Sequence, residues 1–375
     1  MKQINIRALV TGAGTGASGN VIRALRRISL PTYIVGINDD RFTLGQSSAD
    51  CNYLYTAPDG KSFVDTAIEI VRRERVNVII ATDDHFVRDL SDARGRFPIR
   101  LFLPRRETID LCQDKLALSE FFRGKGIRAP RTYAVRSLRG LDAIFARFPR
   151  GSVLWCRARR GSRALGAAPV LTVEQARAWI TLWRDLHGIV VSEFTLGEYL
   201  PGRHWVVTSV WHKGTLLRAQ ATEILGYFAA GNNPSRVSSL ACLAKTVVAD
   251  EALSTALDAV RALERRPHGA FNVELRDSAD GVPAITEINI GRFPAGITAL
   301  LAIGKDNMVE LFVAAAIGHP TVAAEPLGSA KEYYLVRDLD AEPGIVSADM
   351  LLKSIDHAMF LSSGKRAKNG RFAKL

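Results

Sequence analysis

The stretch that most limits what this chain can become lies late in the sequence. Phe271-Asn272-Val273-Glu274-Leu275 and Ala284-Ile285-Thr286-Glu287-Ile288-Asn289-Ile290-Gly291-Arg292 each alternate apolar with polar residues, the period-two signature of half-buried strands. Asp277-Ser278-Ala279-Asp280-Gly281 between them is turn-forming, so the pair reads as a β-hairpin with one polar face. Glu274, Glu287 and Asn289 lie on that face and offer oxygen ligands only. Two carboxylates and an amide oxygen, with Arg292 just beyond, suit Mg²⁺ beside phosphate better than Zn²⁺ or a redox metal. The competing reading is a solvated polar face. Three oxygen ligands on one side argue against it.

Upstream, strands and helices alternate. Residues 6–11 read as an apolar strand, 12–19 as a Gly-rich turn, and the next segment as a helix through Val21, Ile22, Leu25 and Ile28. Residues 33–37 and 76–81 are further strands, and 62–73 has helical period. This order predicts an α/β, Rossmann-like domain with a parallel sheet and right-handed crossovers over residues 1–112. Beyond it the pattern is mixed. Helices are expected over 114–126, 173–186, 249–265 and 307–317, with strands at 152–157, 189–194 and 205–211 and a hairpin turn at 212–215.

The chain has 375 residues, enough for two to three domains. Its four cysteines, Cys51, Cys112, Cys156 and Cys242, are widely spaced without a C-x-x-C, as free thiols of a reducing compartment are. No apolar run reaches membrane-spanning length. Met1 to Arg7 lead directly into a strand, leaving no room for a signal peptide, so a cytoplasmic protein is expected. The formal net charge of +12 comes from scattered Arg and Lys, apart from the tail Lys365-Arg366-Ala367-Lys368-Asn369-Gly370-Arg371. Basic side chains serving anionic nucleotide and carboxylate substrates would give the same total, and the charge reads as a basic surface with a frayed tail in preference to a nucleic-acid footprint.

Gly14-Thr15-Gly16-Ala17-Ser18-Gly19 fits G-x-G-x-x-G between a strand and a helix, and Asp39 follows at about the twenty-residue interval of a ribose-binding acid. A lone match of this kind is weak. No constellation for hydride transfer accompanies it, so it is read as a tight strand-to-helix turn.

After residue 113 the order of signals resembles the ATP-grasp superfamily, especially its carbamoyl-phosphate-synthase-like and carboxylate–amine ligase branches. The matching elements are Asp114-Lys115 ahead of Gly126-Ile127-Arg128-Ala129-Pro130, Trp155-Cys156-Arg157 with the loop 158–166, Glu198-Tyr199-Leu200-Pro201-Gly202, and Asn272-Val273-Glu274 with Glu287-Ile288-Asn289. The resemblance implies an N-terminal pre-ATP-grasp domain (1–112), a two-part α+β ATP-grasp domain (113–320, lobes 113–187 and 188–320) and a C-terminal segment (321–375). It implies that Lys115 and Arg157 sit on ATP phosphates and that the loop Arg159–Gly166, with Ser162, closes over them. Relatives carry more glycine there; here Arg159, Arg160 and Arg163 are expected to compensate. Glu198 is the acid implied for the ribose, with Glu193 as rival; Leu200-Pro201-Gly202 after Glu198 favours it. His204 stands where many relatives carry a second acid. Glu274, Glu287 and Asn289 are implied to hold Mg²⁺, or Mn²⁺ in its stead. Arg292 is implied to bind the γ-phosphate or an acyl phosphate, after a backbone shift that Gly291 permits.

The implied reaction is ATP-dependent activation of a carboxylate as an acyl phosphate, followed by attack of an amine and release of ADP and phosphate. Small-molecule carboxylate and amine substrates are the expected partners, with a homodimer allowed and neither nucleic acid nor membrane expected. Two alternatives stand beside it: phosphorylation of bicarbonate or carbamate, and an NAD(P)-dependent oxidoreductase resting on the Gly14–Gly19 turn.

Overall fold

The computed structural model describes residues 5–55, 62–161, 164–230, 240–303, 307–328 and 331–338, with 342, 344–349, 361–362 and 365–366. Four strands, β1 (Ile6–Thr11), β2 (Thr32–Asn38), β3 (Cys51–Leu54) and β4 (Val78–Ile80), run parallel in the order β3-β2-β1-β4. Helices α1 (Gly16–Leu25), α2 (Arg41–Leu44), α3 (Phe63–Arg73) and α4 (Asp84–Asp92) follow them in turn. β1 buries residues from both faces, as a parallel strand covered on both sides must. Thr15 caps α1 by accepting the Ser18 amide, which sets the helix start.

Two short helices, α5 (Arg106–Cys112) and α6 (Lys115–Gly124), lead into a small antiparallel sheet. Its strands β5 (Thr132–Ala134), β6 (Leu154–Ala158), β7 (Ala168–Val170) and β8 (Phe194–Glu198) stand in the order β5-β8-β6-β7. Helices α7 (Leu141–Phe145) and α8 (Val173–His187) share one apolar cluster with it, including Leu141, Ile144, Ile180 and Leu196.

The strand expected over 189–194 is corrected here. Val191–Glu193 form a 3₁₀ turn, and the strand begins at Phe194. Val190 is 56% exposed, whereas Phe194 and Leu196 are fully buried. A strand forms where alternate side chains can be buried, and that condition starts five residues later than the apolar run does, at Phe194 against Ile189. β8 therefore pairs within the small sheet, although it lies after residue 187.

The large sheet collects β9 (His204–His212), β10 (Thr215–Tyr227), β11 (Ala241–Val247), β12 (Gly269–Asp277), β13 (Pro283–Ile290), β14 (Tyr333–Val336) and β15 (Gly344–Ser347). Their order is β13-β12-β9-β10-β11-β14-β15, antiparallel throughout, with two-residue strands Leu361–Ser362 and Lys365–Arg366 beyond. Helices α9 (Asp250–Leu263) and α10 (Met308–Ala316) pack on it. The N-terminal unit is not free of this sheet: Val10, Val21 and Leu25 share one core with Phe293, Leu301 and Phe312.

The β9–β10 turn carries Lys213 and Gly214, both at positive φ (49° and 96°), the backbone a two-residue hairpin loop needs. Beside it, His268 meets the edge of Phe102 at 4.5 Å and the ring of His212 at 5.4 Å, and its Nδ1 accepts the Lys213 amide at 3.3 Å. Burial, then the charges of His212, Lys213 and Arg94, depress the His268 imidazole from 6.5 to about 4. The folded state therefore holds this ring neutral where the unfolded chain would charge it. Its contribution is full above about pH 6.5 and is lost as pH falls toward about 4. Thermal melts should show Tm falling across that window. His268→Gln should flatten the dependence; an unchanged slope would deny the ring this part.

Candidate active site

The β12–β13 hairpin pairs Asn272 with Asn289 and Glu274 with Glu287 directly across the strands. Phe271, Val273, Leu275, Ile288 and Ile290 turn into the core. Strict alternation fails at Thr286-Glu287, two polar residues in a row. A β-bulge between Glu274 and Leu275 and their partners absorbs the extra residue. It lets Ile285 bury at 2% exposure while Glu287 and Asn289 keep the opposite face. That face lines a cavity of about 1150 Å³ between the two sheets and the carboxyl ends of the parallel strands.

The oxygen atoms of the hairpin are surrounded by cations. Glu287 Oε2 lies 3.7 Å from Lys115 Nζ and 3.6 Å from an Arg157 Nη1. Lys115 is the first residue of α6 and Arg157 lies on β6, so the small lobe delivers both charges across the cavity. Arg157 also donates to the Thr286 carbonyl at 2.9 Å. Burial pulls its guanidinium below the ordinary range, opposed by Glu287 and Glu274. Glu274 accepts from Asn289 Nδ2 at 2.7 Å and meets His204 Nε2 at 3.3 Å. Burial alone would raise its carboxyl; His204, with Arg292 and Arg276, brings it below the usual carboxylate value.

Arg292 follows Gly291, whose φ of +73° is a left-handed bend that glycine adopts freely. Its Nε donates to Asp84 at 2.6 Å and Nη2 to Asn289 Oδ1 at 2.5 Å. Its backbone carbonyl is held by Asn272, which in turn accepts from Thr208 at 2.8 Å. Burial would lower the Arg292 guanidinium, but Asp84 and Asp83 outweigh it and raise it.

Of the residues singled out from sequence, Lys115, Arg157, Glu198, Glu274, Glu287, Asn289 and Arg292 all line this one cavity. Glu198, at the end of β8, stands with Trp155, Tyr199 and Leu200. Glu193 does not line the cavity among the described residues. It sits in the 3₁₀ turn, and its carbonyl accepts the Arg159 amide. Ser162 and Arg163 lie outside the described residues. Arg159 and Arg160 are not free cations over the cavity: they pair with Asp114 at 2.6 and 3.0 Å. Asp114 also caps α6, so these arginines anchor the root of the loop.

Sequence reasoning missed Arg276, Arg88, Arg337 and His85, which line the cavity too. Arg276 was legible: it continues the Asn272, Glu274 alternation. Arg337 was not, because only tertiary pairing of β14 with β11 brings it here. Among the described residues no three His, Cys, Asp or Glu side chains converge on a metal-sized point. The donor set is two carboxylates and one amide oxygen. It fits a hard cation that keeps waters and phosphate oxygens in its shell, as Mg²⁺ does.

No family model matches the chain, and no curated protein matches it. Solved structures do. The biotin carboxylase domain of 2-oxoglutarate carboxylase from Hydrogenobacter thermophilus, in complex with MgADP and bicarbonate, is 15% identical over 88% of this chain and 74% of that one, with a TM-score of 0.65. The carboxyaminoimidazole ribonucleotide synthase of Aspergillus clavatus, complexed with ATP, is 16% identical over 98% of this chain and 91% of that one, at 0.65. The L-amino acid ligase of Bacillus licheniformis is 13% identical over 99% and 91%, at 0.63. The chain has the fold of these proteins, the ATP-grasp fold that its motifs resemble.

Proposed function

We propose that the chain is an ATP-dependent, ADP-forming ligase that activates a carboxylate as an acyl phosphate and joins it to an amine. One observation carries the reading: Glu274, Glu287 and Asn289 share a single cavity with Lys115, Arg157 and Arg292. An oxygen-donor triad against three cations is what a nucleoside triphosphate with its divalent ion requires. Glu274, Glu287 and Asn289 would hold Mg²⁺, which when bound would neutralise charge on the phosphates. Lys115 and Arg157 bind phosphates of ATP, and Glu198 binds the ribose beside an apolar wall of Trp155 and Leu200. A carboxylate oxygen attacks the γ-phosphorus in line while Arg157 and Arg292 spread the developing charge. The loop after Arg157 excludes water from the acyl phosphate; Lys115 Nζ already donates to its Gly161 carbonyl at 2.5 Å.

Similarity to a biotin carboxylase domain that binds bicarbonate, and to an L-amino acid ligase, supports a small carboxylate substrate and keeps bicarbonate among the candidates. A homodimer and a reducing, cytoplasmic setting belong to the same proposal; Cys112 and Cys156 are buried free thiols. Among the described residues no helix is long and apolar enough to cross a membrane.

Thermal shift tests the nucleotide assignment. ATP with Mg²⁺ should raise Tm, by the equivalent of about 2.7 kcal/mol at a hundredfold excess over Kd, and NADH should not. Phosphate release over the protein amino acids, singly and in pairs, and over bicarbonate then finds the substrate. A shift with NADH alone would favour the oxidoreductase reading.

A further inference from the structure

The parallel-sheet wall of the cavity carries a titratable pair that the reading above leaves unused. β4 ends at Ile80 and α4 begins at Asp84, so Asp83 takes the N-cap position past the carboxyl end of a parallel strand, where open α/β sheets present ligand-facing residues. Asp83 makes no side-chain cap hydrogen bond; its Oδ1 lies 3.1 Å from Nδ1 of His85. The imidazole is 59% exposed and lines the cavity that also holds Asn289 and Arg292. Asp84, between the two, accepts Arg292 Nε at 2.6 Å, so the pair adjoins the cation assigned to the acyl phosphate. With Nδ1 engaged by Asp83, Nε2 is the nitrogen left for a ligand.

We propose that His85, oriented by Asp83, is the catalytic base that takes the proton of the attacking amine. The inference rests on the ligase reading. The amine nitrogen forms a bond to the acyl carbon, giving a tetrahedral species with a positive nitrogen. That nitrogen gives its proton to Nε2 of His85. The carbon–oxygen bond to phosphate then breaks, and phosphate departs with the electron pair. The imidazolium afterwards returns its proton to solvent.

The surroundings suit this work. Asp83 and Asp89 face the ring from α4 and its cap, and Asp39 faces it from the end of β2; Tyr55 lies near Asp39 and Asp89, and Arg292 near Asp83. The Asp83 hydrogen bond raises the imidazole above its ordinary 6.5, against burial, with the charges of Asp83, Asp89 and Asp39 adding to it. Asp83 itself is held at about 2, chiefly by His85. The N-terminus of α4 acts the other way on a charged ring. Raising the imidazole strengthens its neutral form as a proton acceptor, and the same carboxylates draw an amine to this end of the cavity, where it attacks once it has lost its extra proton to solvent.

The test compares two nucleophiles on one acyl phosphate: hydroxylamine, which is largely neutral and needs little help, and the amino acid that gives most product in the panel above. In His85→Gln, amide formation should fall relative to hydroxamate formation by about 10²-fold, and the acid limb of the pH profile for amide formation should disappear. Asp83→Asn should move that limb to lower pH, and an NMR titration of His85 should follow it down. An unchanged amide-to-hydroxamate ratio in His85→Gln would overturn the proposal, as would a His85 titration at or below 6.5 in the parent. A parent that forms no hydroxamate with any amino acid or bicarbonate would instead defeat the ligase reading, and this inference with it.

Discussion

Glu287→Gln is expected to lower ATP turnover by about 10²-fold or more in a chain that still folds. Glutamine keeps the size of the side chain and one oxygen acceptor, so the change is almost purely of charge. Glu287 stands opposite Glu274 and within 3.6 to 3.7 Å of Arg157 and Lys115, where cations and anions nearly balance. Removing the anion weakens the hold on a divalent ion. It does not weaken the two cations' attraction for phosphate. The expected signature is therefore a fall in kcat with a raised Mg²⁺ requirement and little change in KM for ATP. One structural cost competes, because Arg157 is buried and loses a counter-charge. Its hydrogen bond to the Thr286 carbonyl and the charge of Glu274 remain, so Tm should fall by only a few degrees. Near-parental ADP release from a folded Glu287→Gln chain would remove the hairpin from the chemistry.

The hairpin was legible in sequence because its two faces meet different surroundings. Burial of Phe271, Val273 and Leu275 fixes which residues face the cavity, and a one-residue slip would bury Glu274 instead. β1 was legible for a different reason: a parallel strand covered on both faces reads as a short continuous apolar run, here at the bounds Ile6–Thr11. What failed to show in sequence depends on contacts distant in the chain. The apolar run at 189–194 carries strand-like residues, yet Val190 stays exposed among the described residues, and the strand forms from the buried Phe194 onward instead. That displacement separates Glu198, inside the cavity, from Glu193, outside it. The loop arginines looked like phosphate ligands by position, but Arg159 and Arg160 pair with Asp114 at 2.6 and 3.0 Å. The Asp83–His85 pair left a partial trace, since Thr82-Asp83-Asp84 closes a predicted strand. Its meaning came only from Arg292 arriving beside it, more than two hundred residues later.

Gly14→Ala is expected to destabilise the fold by more than about 3 kcal/mol, or to prevent its forming. An ideal Cβ on Gly14 would stand 1.7 Å from the Thr43 carbonyl oxygen and 2.5 Å from its carbon. Those atoms cannot yield easily: the Thr43 amide is held by Asp40 at 2.5 Å, and its carbonyl already accepts the Gln46 amide at 3.0 Å. The φ of +91° adds about 1–2 kcal/mol for any residue with a side chain. The other glycines of the motif behave differently. Gly16 and Gly19 are helical, and a Cβ there meets only arginine side-chain atoms, Arg337 at 3.9 Å and Arg23 at 3.6 Å. Gly16→Ala and Gly19→Ala should lie within about 0.5 kcal/mol of the parent or stabilise slightly, by restricting the unfolded chain. A pyrophosphate-binding turn makes the opposite demand, since its second glycine is needed for close approach of the phosphates. Denaturant melts of the three variants thus separate two reasons for one motif. If Gly14→Ala proved as stable as the parent while Gly16→Ala abolished NADH binding, the turn would be a dinucleotide site; loss of stability at Gly14 alone makes it the joint between α1 and α2.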